Sequence, residues 1–129
     1  MILFLIALGG AIGSLCRYIV GGLIQRSSAT GFPVGTMFVN VTGCFLVGIL
    51  VRALLNVQLS VELRALLVIG FCGGFTTFST FSFEAVGLIE GGEYARAATY
   101  LVASVVLCLI ATLAGMAALH ALGGTSGGR

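Results

Sequence analysis

The sequence predicts an all-α membrane protein of four transmembrane helices, with the third helix broken in mid-membrane. Three observations carry this expectation. The 129 residues are 59% hydrophobic and 8% charged, with a mean hydropathy of +1.20, more apolar surface than a soluble domain of this size can hide. A spanning helix takes roughly 20 apolar residues, so four spans and short turns consume the chain. The third apolar run is interrupted by Gly73-Gly74-Phe75-Thr76-Thr77-Phe78-Ser79-Thr80-Phe81-Ser82-Phe83-Glu84. Glycine costs a helix interior about 1 kcal/mol, and Ser and Thr compete for local backbone bonds. In lipid, irregular backbone is tolerated only where it is buried in protein or lines a watery cavity. The stretch is therefore a packing seam or the lining of a pathway.

Taken in order, span 1 covers about 2–23 and carries Gly9, Gly10 and Gly13, a spacing of small residues that lets helices approach closely. No positive leader precedes the apolar run from Ile2, so this span is expected to be retained rather than cleaved. A polar loop is expected over 25–31. Phe32 and Pro33 then open span 2, since Pro suits a first helical turn, and the span runs to about Leu55. A connection over 56–62 follows, with Ser60 a candidate helix cap. Span 3 covers about 63–89, broken between Gly73 and Thr80. Glu90-Gly91-Gly92-Glu93 makes a turn, and span 4 runs from about Ala95 to Leu122. Residues 1–122 form one four-helix domain, and 123–129 (Gly-Gly-Thr-Ser-Gly-Gly-Arg) a flexible tail.

Charge and cysteine usage exclude several functions. The chain has no lysine and no aspartate and a net charge of +2, so nothing points to nucleic acid. Cys16, Cys44, Cys72 and Cys108 fall one in each span, with no Cys-x-x-Cys pair, and read as small buried residues. His120 stands alone and reads as interfacial. No nucleophile–base pairing, metal cluster or phosphate loop suggests an enzyme. Arg52, Arg64 and Arg129 fall on one side of the membrane, and Arg17, Arg26 and Arg96 on the other. The positive-inside rule thus gives no bias. Either a weak signal is overridden, or the chain inserts both ways and pairs with its own inverted copy.

The polar positions within the spans are few. Thr36 and Asn40, four apart, share a face of span 2. They are interhelical glue, worth about 0.6 kcal/mol on average, or donors facing a pathway. Tyr100, Ser104, Cys108 and Thr112 form a stripe at steps of four on span 4, either a helix seam or a ladder of weak donors able to replace water around an anion. Phe78 and Phe81 share a face just after Thr76 and Thr77. They are packing bulk, or ring edges whose partial positive charge attracts a small anion. Unpaired carbonyls at the break from Gly73 to Thr76 would instead coordinate a cation. Of the charged residues, only Arg17 and Glu84 can be drawn into the membrane. Proton relays show several intramembrane titratable groups, so this set suits passive conduction of a small ion better than pumping.

The span 3 motif resembles the signature of the fluoride channels called Fluc or CrcB. Span 2, with Pro33-x-Gly35-Thr36-x-x-x-Asn40-x-x-Gly43, and span 1, with Gly9-Gly10-x-x-Gly13-x-x-x-Arg17, are similar to that family's first two helices. The resemblance covers essentially the whole chain. It implies a channel that exports fluoride passively from the cytoplasm and lowers its toxicity, in a cell membrane, by analogy a bacterial inner membrane. It implies an antiparallel, dual-topology homodimer with two fluoride pores. It places a structural Na+ at the dimer centre, on the backbone carbonyls of Gly73 and Thr76 from both subunits. It assigns Phe78 and Phe81 to the pore, Asn40 as the amide donor, and Ser79, Thr80, Ser104 and Thr112 to the polar track. Cys108 departs from the pattern, because a thiol is a weak donor. A small dual-topology secondary transporter and a structural membrane subunit are the alternatives.

Overall fold

A computed structural model describes residues 1–56 and 61–123. The helices are α1 (Ile2–Ser27), α2 (Val34–Asn56), α3 (Val61–Arg64), a π-helix (Ala65–Cys72), α4 (Gly73–Phe75), α5 (Phe78–Glu90) and α6 (Tyr94–Gly123). From α3 to α5 the chain forms one interrupted span. Four stretches, Ile2–Ser27, Val34–Ala53, Val61–Glu90 and Tyr94–Ala118, are long and apolar enough to cross a membrane. The chain is a multi-pass membrane protein. Leu3, Leu15, Phe83, Leu109 and Leu113 are among the large side chains left exposed, which is the outward face a bilayer solvates.

Small residues set the packing. α1 lies against the third span and α2 against α6. A Cβ on Gly9 would overlap the Leu66 carbonyl oxygen, and one on Gly13 that of Phe71. The glycine face of span 1 therefore seats the π-helix backbone directly on α1. The α2–α6 pair uses the same device: a Cβ on Gly48 would overlap the Thr112 carbonyl, and one on Gly115 that of Phe45. At one end of the bundle Phe81, Ala85, Leu88, Ala97 and Tyr100 form a core, covered by Phe32 and Met37.

Element boundaries differ from expectation in several places: the connection expected over 56–62 is shorter, because Asn56 ends α2 and Val61 and Glu62 open α3. The loop expected from Gln25 begins later, because α1 continues to Ser27. Gln25 stays helical because its side chain bridges to the next helix: Nε2 donates to the Phe32 carbonyl and Oε1 accepts from the Gly35 N–H, both at 3.0 Å. Pro33 precedes α2 rather than entering it. The break in span 3 is confined to Thr76 and Thr77, with φ/ψ of −87/156 and −150/114. Gly73–Phe75 and the residues from Phe78 onward are helical. The Glu90–Glu93 turn is as expected, with Gly92 at φ 75, a left-handed conformation that glycine adopts without strain. Gly123, the first residue of the tail expected over 123–129, is the last of α6; the rest of that tail, 124–129, and the Ser60 cap lie outside the described residues, as does the side chain of His120.

Candidate functional site

The break diverts backbone donors from their helical partners. In an unbroken helix the Thr77 N–H would donate to Gly73 O and the Thr80 N–H to Thr76 O. Instead Thr77 N donates to Asn40 Oδ1 at 2.7 Å, and Thr80 N donates to Thr77 Oγ1 at 3.2 Å. Thr77 is thus the N-cap of α5. The carbonyls of Gly73 and Thr76 both lose their usual donors. The Gly74 carbonyl, by contrast, is occupied: Arg17 Nε donates to it at 3.1 Å and Ser14 Oγ at 3.4 Å. Arg17 is therefore an interior ligand of the broken helix rather than a flanking charge. Setting it aside, the arginine balance becomes three (Arg52, Arg64, Arg129) against two (Arg26, Arg96).

Asn40 holds the break from the other side. Its Nδ2 donates to Thr77 O at 3.0 Å while its Oδ1 accepts from Thr77 N, so one amide satisfies both polar groups of an extended residue. A primary amide carries two N–H donors, and this arrangement uses one. Its neighbour on the α2 face, Thr36, donates to Glu84 Oε1 at 2.8 Å, and Tyr100 donates to Glu84 Oε2 at 2.7 Å. The Glu84 carboxylate is thereby tied to α2 and α6 together. Both polar residues on the α2 face make interhelical bonds, and Asn40 retains a donor besides.

Two cavities flank the break. The first, about 440 Å³, is lined by Arg17, Thr36, Thr77, Thr80 and Glu84 among others. The second is a groove of about 320 Å³. It brings Asn40, Phe78, Phe81, Ser104 and Thr112 together with Thr76, residues from α2, the broken span and α6. Among the described residues, no ionisable acid or base other than thiols lines it. Phe78 is 77% exposed and Phe81 6%, with ring centroids 5.4 Å apart; Phe81 also packs 5.1 Å from Tyr100.

The donors in the groove are unequal. Ser104 is buried and its Oγ has no hydrogen-bond partner among the described residues, although buried hydroxyls are normally satisfied. Thr112 Oγ1 donates to Cys108 O of its own helix at 3.0 Å, so its proton is already committed. Ser79 and Thr80 do not line the groove. The Thr77 hydroxyl donates to Thr80 Oγ1 at 3.0 Å and lies 3.2 Å from Ser79 Oγ. With that proton spent on Thr80, Ser79 donates to Thr77, and the Thr80 hydroxyl is left to donate on the side of the first cavity.

Sequence reasoning did not assign Ser14, Thr77, Cys44 or the Glu84–Tyr100 pair to the site. Ser14 and Arg17 stand three apart on one helix face inside an apolar span, a signal that could have flagged them. Nothing local marks Thr77 as the residue that Asn40 grips.

The chain has close relatives of known name. Residues 4–116 match the family described as CrcB-like protein, Camphor Resistance (CrcB). A protein of Rhizobium leguminosarum bv. trifolii (strain WSM2304), named fluoride-specific ion channel FluC, is 50% identical over 119 residues, covering 92% of this chain and 95% of the relative. Proteins of the same name from Geobacter sulfurreducens (48% over 118 residues, 91% and 95% covered) and Methanopyrus kandleri (47% over 116 residues, 89% and 86% covered) are also similar. With the matched region spanning all four membrane helices, this chain belongs to the CrcB family.

Proposed function

We propose that the chain is a passive fluoride channel, and that it is not an enzyme. The observation that carries this reading is the groove: an amide with a spare donor, an orphaned serine hydroxyl and a pair of phenylalanine rings meet in one uncharged cleft. Fluoride is small and strongly hydrated, so entry into a dry cleft is costly unless donors replace its water. Asn40 and Ser104 supply donors, and the edges of Phe78 and Phe81 add weaker attraction. Neutral donors bind an anion loosely enough for it to leave, which conduction requires. Thr112 contributes only when its hydroxyl turns away from Cys108 O. Thr80 acts on the side of the first cavity, which Arg17 also lines, and Ser79 is joined to it only through the Thr77 hydroxyl. Fluoride entering cells as neutral hydrogen fluoride dissociates and is trapped; a passive path lets the membrane potential drive it out. The names of the relatives support the same substrate.

The working unit in this reading is an antiparallel homodimer of dual topology. Gly73 is exposed, and a Cβ built on it meets nothing within 4 Å, a bare backbone face that a second copy can approach. The carbonyls of Gly73 and Thr76, deprived of their amide donors, are neutral hard ligands of the kind Na+ takes. Two carbonyls are few for a cation, so the site would be completed by the same pair from the inverted partner. When bound there, Na+ would neutralise the clustered carbonyl dipoles at the dimer centre.

The test is fluoride efflux from liposomes containing only this protein, with chloride as control and with external Na+ varied. Rapid fluoride efflux without chloride efflux is expected. Absence of any flux from folded protein would leave a structural membrane subunit as the reading. Crosslinking that captures only parallel dimers, or terminal reporters with one orientation in cells, would remove the dual-topology claim.

A further inference from the structure

Cys44 on α2 and Cys108 on α6 face the same groove, each one turn before the point where the two helices meet backbone to backbone. Both are free, partly buried, and line the 320 Å³ groove. Their approach is not left to flexible side chains alone. One turn further along each helix are Gly48 and Thr112, and a Cβ on Gly48 would overlap the Thr112 carbonyl. Backbone contact therefore fixes the separation of α2 and α6 beside the thiols. Cys108 also stands midway between Ser104 and Thr112 on the α6 stripe, four residues from each.

We propose that Cys44 and Cys108 form a binding site for a soft, two-coordinate metal ion, Hg2+ being the probe that fits best, and that the bound metal closes the groove. Thiolates select soft metals, and mercury(II) accepts two sulfur ligands in line. The step balances without electron transfer: two S–H bonds break, two Hg–S bonds form, and two protons leave to solvent. Two neutral thiols and a dication thus give a neutral bis-thiolate, the product a low-dielectric cleft tolerates. Zn2+ is excluded by the same count. Structural zinc takes four protein ligands and catalytic zinc three, and no group of three or more His, Cys, Asp or Glu able to hold a metal occurs among the described residues. A metal between these sulfurs occupies the space in front of Ser104 and Thr112. Closure of an ion path there rests on the channel reading; the metal site itself does not.

The experiment uses the full chain with Cys16→Ala and Cys72→Ala, so that only this pair of thiols remains. Mercury(II) chloride is added, excess is removed by gel filtration, and retained metal is counted by intact mass and its ligands by X-ray absorption. One mercury per chain with two sulfur neighbours is expected, and none retained with Zn2+. Loss of outer-shell partners alone costs metal affinity about 10- to 100-fold, so Cys44→Ala or Cys108→Ala, which removes a direct ligand, should cost at least about 100-fold. Mercury bound through a single sulfur, or retention unchanged in either single-alanine variant, overturns the site. The spectrum of the paired-thiol protein decides the matter even if a single variant fails to fold. In liposomes, mercury should block the fluoride efflux of the paired-thiol protein and dithiothreitol should restore it, each variant being scored against its own uninhibited flux. Protein that binds mercury through both sulfurs but carries no fluoride with or without it supports the metal site and overturns the channel reading instead. Full flux with mercury bound through both sulfurs overturns the closure.

Discussion

Replacing Asn40 with aspartate separates two things the amide does. Asn40 clamps Thr77 through both backbone groups, at 2.7 and 3.0 Å, and it has a second N–H. In the membrane interior an isolated carboxyl is driven toward its neutral form. A neutral aspartic acid keeps the clamp: its carbonyl accepts from Thr77 N, and its O–H donates to Thr77 O. Only the second N–H is lost. A hydrogen bond to a charged group is worth about 1.5–3 kcal/mol, and about 1.4 kcal/mol is a factor of ten. Fluoride flux through Asn40→Asp should therefore fall about 10- to 150-fold, with thermal stability and assembly kept. Where the carboxyl ionises, its oxygen faces both Thr77 O and the permeating anion, and flux falls further. Asn40→Ala differs. It leaves a half-buried N–H and C=O of Thr77 without their partner, at up to about 1–3 kcal/mol each, so this variant should be destabilised by roughly 1–3 kcal/mol in all, since water in the flanking cavities offsets part of the loss. The assay is fluoride efflux at neutral and mildly acidic pH, with protein-free liposomes subtracted, beside thermal unfolding in detergent. Parental flux from Asn40→Asp at mildly acidic pH would refute the reasoning and reduce Asn40 to a structural clamp.

Other perturbations test neighbouring parts. Ser104→Ala removes an orphaned buried hydroxyl, so stability should hold or rise slightly while fluoride efflux falls; unchanged efflux would mean the groove is not the path. Phe81→Ile keeps apolar bulk but loses ring contacts to Phe78 and Tyr100, costing about 0.5–1.5 kcal/mol for each pair, and efflux should drop severely with assembly intact. A Cβ at Gly73 meets nothing within 4 Å beyond its own stretch of helix, so Gly73→Val should retain secondary structure by circular dichroism and lose dimers on gel filtration; stable dimers with normal sodium dependence would show that this face is not the interface. Gly13→Val drives a side chain into the Phe71 carbonyl and should abolish folding of the bundle, seen as aggregation on extraction.

The four spans were legible because length and hydropathy are local properties, and a bilayer demands about 20 apolar residues of any helix that crosses it. The interruption of the third span was legible for the same reason: Gly73, Gly74, Thr76 and Thr77 are poor helix formers wherever they occur. The glycine face of α1 could be read from its spacing, although its partner could not. What the tertiary structure decided is where the broken backbone finds its bonds. The break narrows to Thr76 and Thr77 because Asn40, 37 residues away, takes both polar groups of Thr77, and because Arg17 and Ser14 take the carbonyl of Gly74. The same long-range pairing divides the predicted polar track. Ser104 is left free in the groove, Thr112 bonds within its own helix, and Ser79 and Thr80 belong to the Thr77 network. Periodicity gives the face on which a side chain stands. Only packing determines which backbone group lies opposite, because each unmet polar group in a dry interior must find a partner that the fold alone brings within reach.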